Sequence, residues 1–416
     1  MFKPIVFRGN NREVFRIRPG TIGLFVLLVL YTIPVTIGIP GLGSHIVVFL
    51  AEFFIIAGWM ICYFVNNTSK SSFLIDEKNY RVRNWTFAFI VYIAVSRILL
   101  FTTGFDADWF SYPRVSFIFL ISFFWITKKG FSDFDKIDAV ILFLTYLIAL
   151  EMLTFLQTGD VRSSKVLLNI NIFVCIVIVI LPTLVHLTLN PSSLIRKIWY
   201  LSVLVLSLGL VLFSGSRAGT SIAFVVVIYL FLRERNINGK VFFLVIAVAA
   251  SIVVLSNINS LELQNVLYRS ISVITGGRHG TDSNAVISDN VRAEIWYLGF
   301  QRFLSRPLLG TGILTFDFNM GIYKVHQSAH NFMIELLMSY GVIGTIIYGI
   351  LFVTILRSSP GDKINKRIMH LTVFGYLAFS FVEPTFVEKI ILFIFLLLIT
   401  SDTGKVIREH NDAILL

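Results

Sequence analysis

The chain has 416 residues, of which 56% are hydrophobic and 14% are charged, against about 45–50% and about 25% in an average soluble protein. This composition excludes a water-soluble globular protein. Lys and Arg number 35 and Asp and Glu 24, a net charge of +11. We attribute this excess to membrane topology and predict no nucleic-acid partner, because polytopic membrane proteins concentrate basic residues in cytoplasmic loops.

Apolar segments long enough to cross a bilayer recur along most of the chain. A spanning helix needs about 20 predominantly apolar residues. Charge-free apolar runs predict about twelve spans, which begin near residues 21, 45, 85, 112, 138, 166, 198, 218, 241, 330, 368 and 387. The sequence therefore predicts an all-α integral membrane protein that forms a single polytopic domain over residues 1–416.

The positions of the basic residues predict the orientation of these spans. With both termini in the cytoplasm, 23 of the 35 basic residues fall in inner segments, as the positive-inside rule requires. The first apolar run lacks a cleavage-site pattern and is predicted to be an uncleaved anchor. Cys62 and Cys175 both lie inside apolar runs, so neither a disulfide nor a zinc site is predicted.

A segment of about seventy residues, 257–329, separates the ninth and tenth predicted spans on the outer side. Loops longer than about 15 residues are usually functional or disordered. Here the apolar residues predict a helix that starts near Asp289 and stops at Pro307. Its apolar surface would consist of Val291, Ile295, Trp296, Leu298, Phe300, Phe303 and Leu304. We expect this segment to be a folded, partly helical outer cap that lies on the membrane.

Ionisable residues inside the predicted spans lie at one depth. Glu52, Arg97, Glu151 and Glu335 are each about five to seven residues from an outer end, or roughly 10 Å at 1.5 Å per residue. Such groups are expensive in hydrocarbon and are usually functional or paired. They predict a polar layer in the outer half, although pairing of Arg97 with Glu52 or Glu151 would equally hold helices together.

Two arginines stand out in outer segments. Arg217 lies in the turn Ser-Gly-Ser-Arg-Ala-Gly at residues 214–219, where a guanidinium can present its fork of donors to phosphate or simply snorkel to the interface. Arg292 is predicted to lie in the first turn of the cap helix after Asp289, where free backbone N–H groups also favour anions. A solvated surface arginine is the alternative for Arg292.

A histidine follows at the start of the tenth predicted span. The motif Arg306-Pro-Leu-Leu-Gly310-Thr-Gly312 precedes His-Gln-Ser-Ala-His-Asn at residues 326–331. If Ser328 caps the next helix, His330 lies in its first turn, where the positive helix end keeps the imidazole neutral. A neutral imidazole can act as a general base. A structural histidine at a span boundary is the alternative.

In their order, these motifs resemble the O-antigen ligase and polymerase superfamily of integral membrane glycan transferases. The resemblance covers roughly residues 200 to 350. It rests on Ser216-Arg217-Ala218-Gly219, Arg292 with Trp296, the Arg306 to Gly312 motif, His330-Asn331, Glu335, and Gly341 to Gly344. The first half of the chain matches only as hydrophobic spans, so no residue role is carried over there.

The resemblance implies transfer of a glycan from undecaprenyl diphosphate to an acceptor hydroxyl, with inversion, at the periplasmic face of a bacterial inner membrane. It implies that Arg217 and Arg292 bind the diphosphate and that His330 is the catalytic base. Further candidates for substrate binding are His326, Arg278, His279 and Glu335. Neither metal nor cofactor is expected. The expected partners are the carrier-linked oligosaccharide, membrane lipid, a chain-length regulator and a flippase.

Three alternatives remain at this stage. A polymerase extends a carrier-linked repeat unit, whereas a ligase transfers glycan to the lipid A core. The resemblance implies a close His-x-His-Asn arrangement in ligases. Here four positions separate His326 from His330, which favours the polymerase. Asp106-Ala107-Asp108 resembles the acidic metal-binding pair of GT-C-type glycosyltransferases. A transporter would use buried Glu and Arg as its solute path, but the sequence has no convincing internal repeat.

Overall fold

The computed structural model is a bundle of apolar helices accompanied by two β-hairpins. It describes residues 5–9, 12–17, 19–36, nine positions between 84 and 99, 132–158, 170–190, 193–214, 216–233, 283–311, 315–320, 323–329, 331–357, 363–381, 389–399 and 401–402. The strands are β1 Ile5–Gly9, β2 Arg12–Ile17, β3 Thr315–Met320 and β4 Tyr323–Ser328. The helices are α1 Pro19–Thr36, α2 Asp133–Thr158, α3 Ile170–Leu189, α4 Leu194–Phe213, α5 Arg217–Arg233, α6 Ser283–Ser305, α7 Phe332–Arg357, α8 Lys363–Ser380 and α9 Lys389–Ile399.

The helical membrane character predicted from the sequence is confirmed. Judged by length and composition only, four segments within the described ranges could cross a bilayer: Asp133–Thr154, Ile170–Leu189, Leu194–Phe213 and Phe332–Arg357. A shorter apolar helix covers Ala218–Arg233. The predicted total of twelve spans is not confirmed, and the spans predicted to begin near residues 45, 112 and 241 lie outside the described residues.

Helix α3 is the centre of the bundle. Of its 20 residues, 15 are buried, and it packs against α2, α4, α5, α8 and α9. A Cβ at Gly375 of α8 would lie 2.7 Å from Ile178 of α3, so this glycine lets the two helices approach closely. The surrounding helices expose large apolar side chains such as Phe224 and Ile346. This is the arrangement of a bundle whose outer surface meets lipid and whose core is protein.

The sequence did not predict the two β-hairpins that accompany the helices of this all-α membrane protein. Strand β1 pairs with β2, and β3 with β4, both antiparallel. In the sequence, two residues separate each pair of strands, Asn-Asn at 10–11 and Gly-Ile at 321–322. Asn and Gly at these positions favour two-residue hairpin turns because both tolerate positive φ. The segments are too short and too polar to register as spans.

Polar contacts gather the starts of α1, α2 and α4 at one end of the bundle. Ser132 caps α2 in a capping box: the Asp135 N–H donates to Ser132 Oγ at 3.2 Å, and the Ser132 N–H donates to Asp135 Oδ2 at 3.1 Å. Thr21 of α1 donates to Asp135 Oδ1 at 3.1 Å. Arg196 of α4 lies 3.7 Å from Asp138 of α2, and both side chains are less than a tenth exposed.

The starts of α3 and α5 lie at the opposite end. Gly219, in the first turn of α5, faces Val174 of α3 so closely that a Cβ on the glycine would collide with the valine Cγ1. Helices α3, α4 and α5 therefore alternate in direction. This agrees with the predicted alternation of these spans, and it puts the start of α5, with Arg217, at the opposite end from the buried Asp138 and Arg196 pair.

Helix α7 is not a single straight rod. Gly341 has φ 62° and ψ −172° in the middle of it, a conformation open to glycine and strained for other residues. The rings of Phe332 and Tyr348 are 6.1 Å apart, although the 16 residues that separate them would span about 24 Å of straight helix. The chain therefore folds back at Gly341, and the single span predicted here consists of two shorter helices, residues 332–340 and 342–357.

The segment at residues 306–311 fills this break. The N–H of Val342, which a continuous helix would bond to Met338, donates to the carbonyl of Pro307 at 2.8 Å instead. The Met338 carbonyl accepts from the N–H of Thr311 at 2.7 Å. The N–H of Ile343 donates to the carbonyl of Leu308 at 3.3 Å. The hydrogen bonds that the helix loses at the break are thus replaced by bonds to residues 306–311, an arrangement called here the backbone interlock.

Two glycines make the interlock sterically feasible. A Cβ at Gly310, which has φ 72°, would lie 2.5 Å from the carbonyl oxygen of Ser339. A Cβ at Gly341 would collide with the carbonyl of Leu308. Each glycine therefore has both a positive φ and a backbone neighbour that leaves no room for a side chain. The glycines of two separate sequence motifs meet in one contact.

We expect Gly341→Ala to destabilise the protein by about 3 kcal/mol, because it adds backbone strain and a steric overlap. The control is Gly349→Ala in the same helix, where a Cβ would meet no atom within 4 Å and where alanine is the better helix former. Thermal unfolding in detergent, followed by the loss of monodisperse protein, measures both. Equal melting temperatures for the two variants would contradict the fold-back at Gly341.

We also expect Asp138→Ala to cost about 3–5 kcal/mol, because it leaves the buried charge of Arg196 without its carboxylate. The double variant Asp138→Ala with Arg196→Met removes both charges and is expected to recover most of this loss. The same unfolding measurement tests the pair. If the double variant loses as much unfolding free energy as Asp138→Ala and Arg196→Met lose separately in sum, the two groups do not interact.

Candidate functional site

The turn that carries Arg217 is ordered by serine and glycine. Ser214 Oγ donates to the carbonyl of Val211 at 2.6 Å and closes α4. Ser216 is the N-cap of α5, because its Oγ accepts from the Gly219 N–H at 3.3 Å. Arg217 is then the first residue of α5. Ser216 and Gly219 thus have structural tasks, while Arg217 lies at a helix N-terminus, which favours anions; its side chain is outside the described part.

Helix α6 confirms that a helix ends just before Pro307, and it corrects the predicted start of that helix. It begins at Ser283 and ends at Ser305, two residues before Pro307. Asp289 is therefore inside the helix and does not cap it. The helix can start this early because the sequence has no glycine or proline between Ser283 and Leu298. Arg292 is the tenth residue of α6. The helix-end electrostatics expected for Arg292 consequently do not apply.

Helix α6 packs directly on the first part of α7. The contact contains Ile295, Ala329 and Met338, which are at most 1% exposed. Arg292 lies three residues before Ile295, so its backbone position is one turn away on the same side of α6. Ala329 immediately precedes His330 in the chain. The packing therefore brings the backbone position of Arg292 to the segment that leads into His330.

The cap of α7 differs from the predicted one. Asn331 Oδ1 accepts from the N–H groups of Met333 and Ile334 at 3.1 and 3.2 Å, so Asn331 is the N-cap. Ser328 is the last residue of β4, and the prediction that it caps the helix is wrong. His330 precedes the cap in sequence, so the reason given for a neutral imidazole in the first helical turn is lost. His330 itself lies outside the described residues.

Glu335 is a buried ionisable group of the site. It lies in the first turn of α7, its N–H donates to the Asn331 carbonyl at 2.9 Å, and its side chain is fully buried. Met338, one turn later on the same side, belongs to the contact with α6. Glu151 of α2 is equally buried, and the placement of these carboxylates in the outer half of the membrane stays a prediction. A carboxylate excluded from water is costly unless its environment compensates it.

The remaining predicted site residues divide into two groups. His326 lies in β4 with its Cα opposite that of Asp317 in β3, and its side chain is not described. Arg278, His279, Glu52, Arg97 and the acidic pair Asp106 and Asp108 lie outside the described residues. The other Asp-x-Asp sequence, Asp133 to Asp135, is accounted for structurally by the capping box and by the ion pair of Asp133 with Lys136 at 3.6 Å.

Helix α6 has two apolar sides. Ile295, Leu298 and Phe303 are turned toward the protein, whereas Trp296 and Tyr297, together with Phe300 and Leu304, expose between 38% and 62% of their surface. The predicted apolar surface is therefore shared between the protein contact and a second, aromatic side. Trp and Tyr are enriched where protein meets the membrane interface, so this composition suits a helix at the bilayer surface.

Most extensive contacts of α5 are with α3, α8 and α4. Among the described residues, the site thus consists of the contact between α6 and α7, the cap residue Asn331, the buried Glu335 and the backbone interlock. Whether Arg217 lies close to this site stays a prediction. Sequence reasoning missed the capping by Asn331 and the meeting of Gly310 with Gly341. The signals were present, since Asn is a preferred N-cap and each motif carries a glycine.

Comparison with known proteins bears on this region. The chain matches none of the curated proteins with which it was compared. Residues 202–349 match the family model Wzy_C, described as O-antigen ligase. This segment runs from α4 into the second part of α7 and contains Arg217, Arg292, His330 and Glu335. The resemblance to the O-antigen ligase and polymerase superfamily is thereby confirmed over residues 202–349.

Proposed function

We propose that the protein is a glycan polymerase of the O-antigen type, which joins a glycan carried on undecaprenyl diphosphate to a hydroxyl of another carrier-linked repeat unit. The observation that carries the proposal is the packing of α6 on α7. Ile295, three residues after Arg292, contacts Ala329 and Met338, which lie just before His330 and just after Glu335 in the chain. All of these residues are within the range that matches the family.

The two arginines have a defined task in this reaction. Negative charge builds on the leaving diphosphate as the glycosidic bond breaks, and fixed guanidinium groups stabilise that charge where it develops. Arg217, at the start of α5, combines its own charge with the positive end of the helix. Arg292 adds a second fork of donors. A diphosphate held in this way needs neither a metal ion nor another cofactor to depart.

His330 is the proposed catalytic base. It takes the proton of the acceptor hydroxyl while that oxygen attacks the anomeric carbon from the side opposite the diphosphate, which inverts the configuration. Glu335, close behind it in the chain, His326 on β4 and Arg278 are proposed to bind substrate. Because α7 starts at Phe332 with Asn331 as its cap, His330 would reach the acceptor from the residues just before the helix.

The location follows from the same proposal. The active site would face the periplasm of a bacterial inner membrane, with both termini in the cytoplasm and residues 257–329 as its cap. The exposed aromatic side of α6, including Trp296 and Phe300, would rest in the bilayer interface beside the isoprenoid tail. A flippase that delivers repeat units and a chain-length regulator are the proposed protein partners.

A ligase that transfers glycan to the lipid A core is the second candidate, and the description of the matching family favours it. The spacing of His326 and His330 favours the polymerase, because the close pair typical of the ligases is missing. The two differ only in the acceptor hydroxyl. The donor side, with Arg217 and Arg292, would be the same in both.

Glycan length in a host that lacks the gene tests the proposal. Complementation with the wild type is expected to restore long ladders on a gel, whereas His330→Ala is expected to leave single repeat units on the lipid A core. A host that accumulates long glycan on the carrier and bare lipid A core identifies a ligase instead. Wild-type ladders from His330→Ala would rule out this histidine as the base.

We expect Arg292→Ala to lower the initial transfer rate of purified protein about 100-fold, because one donor to the diphosphate is lost. Arg292→Lys keeps the charge but not the fork, so it is expected to recover only part of the rate. The matched control is Arg302→Ala, near the end of the same helix, with close to wild-type activity. Equal rates for the alanine variants at the two positions would exclude the proposed role of Arg292.

A further inference from the structure

A tyrosine from the first half of the chain joins the backbone interlock. The Tyr92 hydroxyl lies within hydrogen-bonding distance of two carbonyl oxygens, those of Leu309, at 3.2 Å, and of Tyr340. Leu309 belongs to the inserted segment, and Tyr340 is the last residue before Gly341. One hydroxyl therefore bridges the two sides of the break. Tyr92 lies 217 residues before Leu309, the nearer of the two acceptors in sequence.

The ring of Tyr92 is as closely fitted as its hydroxyl. A Cβ at Gly344 would lie 3.0 Å from Tyr92 Cζ and closer still to Cε1, so this glycine makes room for the ring. Phe89, one turn earlier in sequence, stacks against Tyr92 and also contacts Tyr340 and Tyr348, with centroids 5.3 and 5.9 Å away. These aromatic rings hold Tyr92 against both parts of α7.

Thr311 makes a second side-chain bond at the same place. Its Oγ1 donates to the Met338 carbonyl at 3.0 Å, which also accepts from the Thr311 N–H. A continuous helix would have satisfied the carbonyls of Met338 and Tyr340 through residues four positions later. Tyr92 and Thr311 therefore supply side-chain donors to two carbonyls just before the break.

We propose that Tyr92 is a positioning residue for the glycan transfer: by bridging Leu309 and Tyr340 it fixes the direction in which residues 332–340 leave the fold-back, and so the place of Glu335 and His330. This inference rests on the proposed function. A rotation of about 10° at Gly341 would shift the start of α7, ~13 Å away, by about 2 Å. Misplacement of about 1 Å can cost roughly 100-fold in rate.

Tyr92→Phe tests the inference, because it removes the hydroxyl and keeps the ring. The control is Tyr229→Phe on α5, where the tyrosine is exposed. The first measurement is amide hydrogen exchange of the full-length protein in nanodiscs. Peptides covering residues 306–311 and 338–345 are expected to exchange ~10-fold faster in Tyr92→Phe, the effect of losing one hydrogen bond, and to be unchanged in the control. Thr311→Val is expected to act like Tyr92→Phe.

The second measurement is the transfer rate with a polyprenyl-diphosphate oligosaccharide as donor. Tyr92→Phe is expected to lower kcat about 10-fold and to change KM for the donor by only about 2-fold, because Arg217 binds the diphosphate from α5, outside residues 332–340. A general loss of folding would instead reduce the amount of active enzyme in proportion to the unfolded fraction, which the unfolding curve of the same sample measures.

The outcomes are distinguishable. Unchanged exchange in Tyr92→Phe overturns the bridging role. Faster exchange with unchanged kcat overturns the positioning role while leaving the bridge. If the wild type transfers no glycan, the proposed function fails and the catalytic part of this inference fails with it, whereas the exchange measurement still decides whether Tyr92 holds the two parts of α7 together.

Discussion

A helix that breaks inside a membrane protein must find new partners for the backbone groups that it frees, because hydrocarbon offers none. At Gly341, the chain solves this by inserting residues 306–311, whose carbonyls accept from Val342 and Ile343 and whose Thr311 N–H donates to Met338. The rest of the site depends on this exchange. It sets the direction of residues 332–340, which pack on α6 through Met338 and Ile295.

The motifs shared with the family separate into architecture and chemistry. Ser216 caps α5, Gly219 admits α3, and Gly310 and Gly341 permit the interlock. None of these residues has a side chain that suits acid–base work or diphosphate binding at that place. The proposed function assigns chemistry to the arginine between Ser216 and Gly219 and to the histidine before Asn331. A motif of small residues around one charged residue is thus a backbone arrangement that presents the charge.

The sequence predicts the parts of this protein that depend on composition over many residues. The membrane helices and the existence of α6 with its end before Pro307 follow from apolar patterning, and the turn before Arg217 from its polar residues. The fold-back was not predictable from hydropathy, because one glycine hardly changes an average over twenty residues. Asn331 and Ser328 are both good caps, so only the tertiary pairing of β4 decides between them. The contact of Tyr92 with Leu309 spans 217 residues, and no local pattern encodes it.

The interlock also closes a ring in the chain. Thr311 and Met338 are joined by hydrogen bonds, so the chain leaves this point, runs through β3 and β4, and returns to it. Closing a longer or shorter loop between fixed ends changes the free energy only slightly. The hairpin can therefore vary in length and sequence while the two ends and the helices stay in register. Such an excursion is a replaceable module, in which related chains can diverge in what they recognise without altering the frame that performs the reaction.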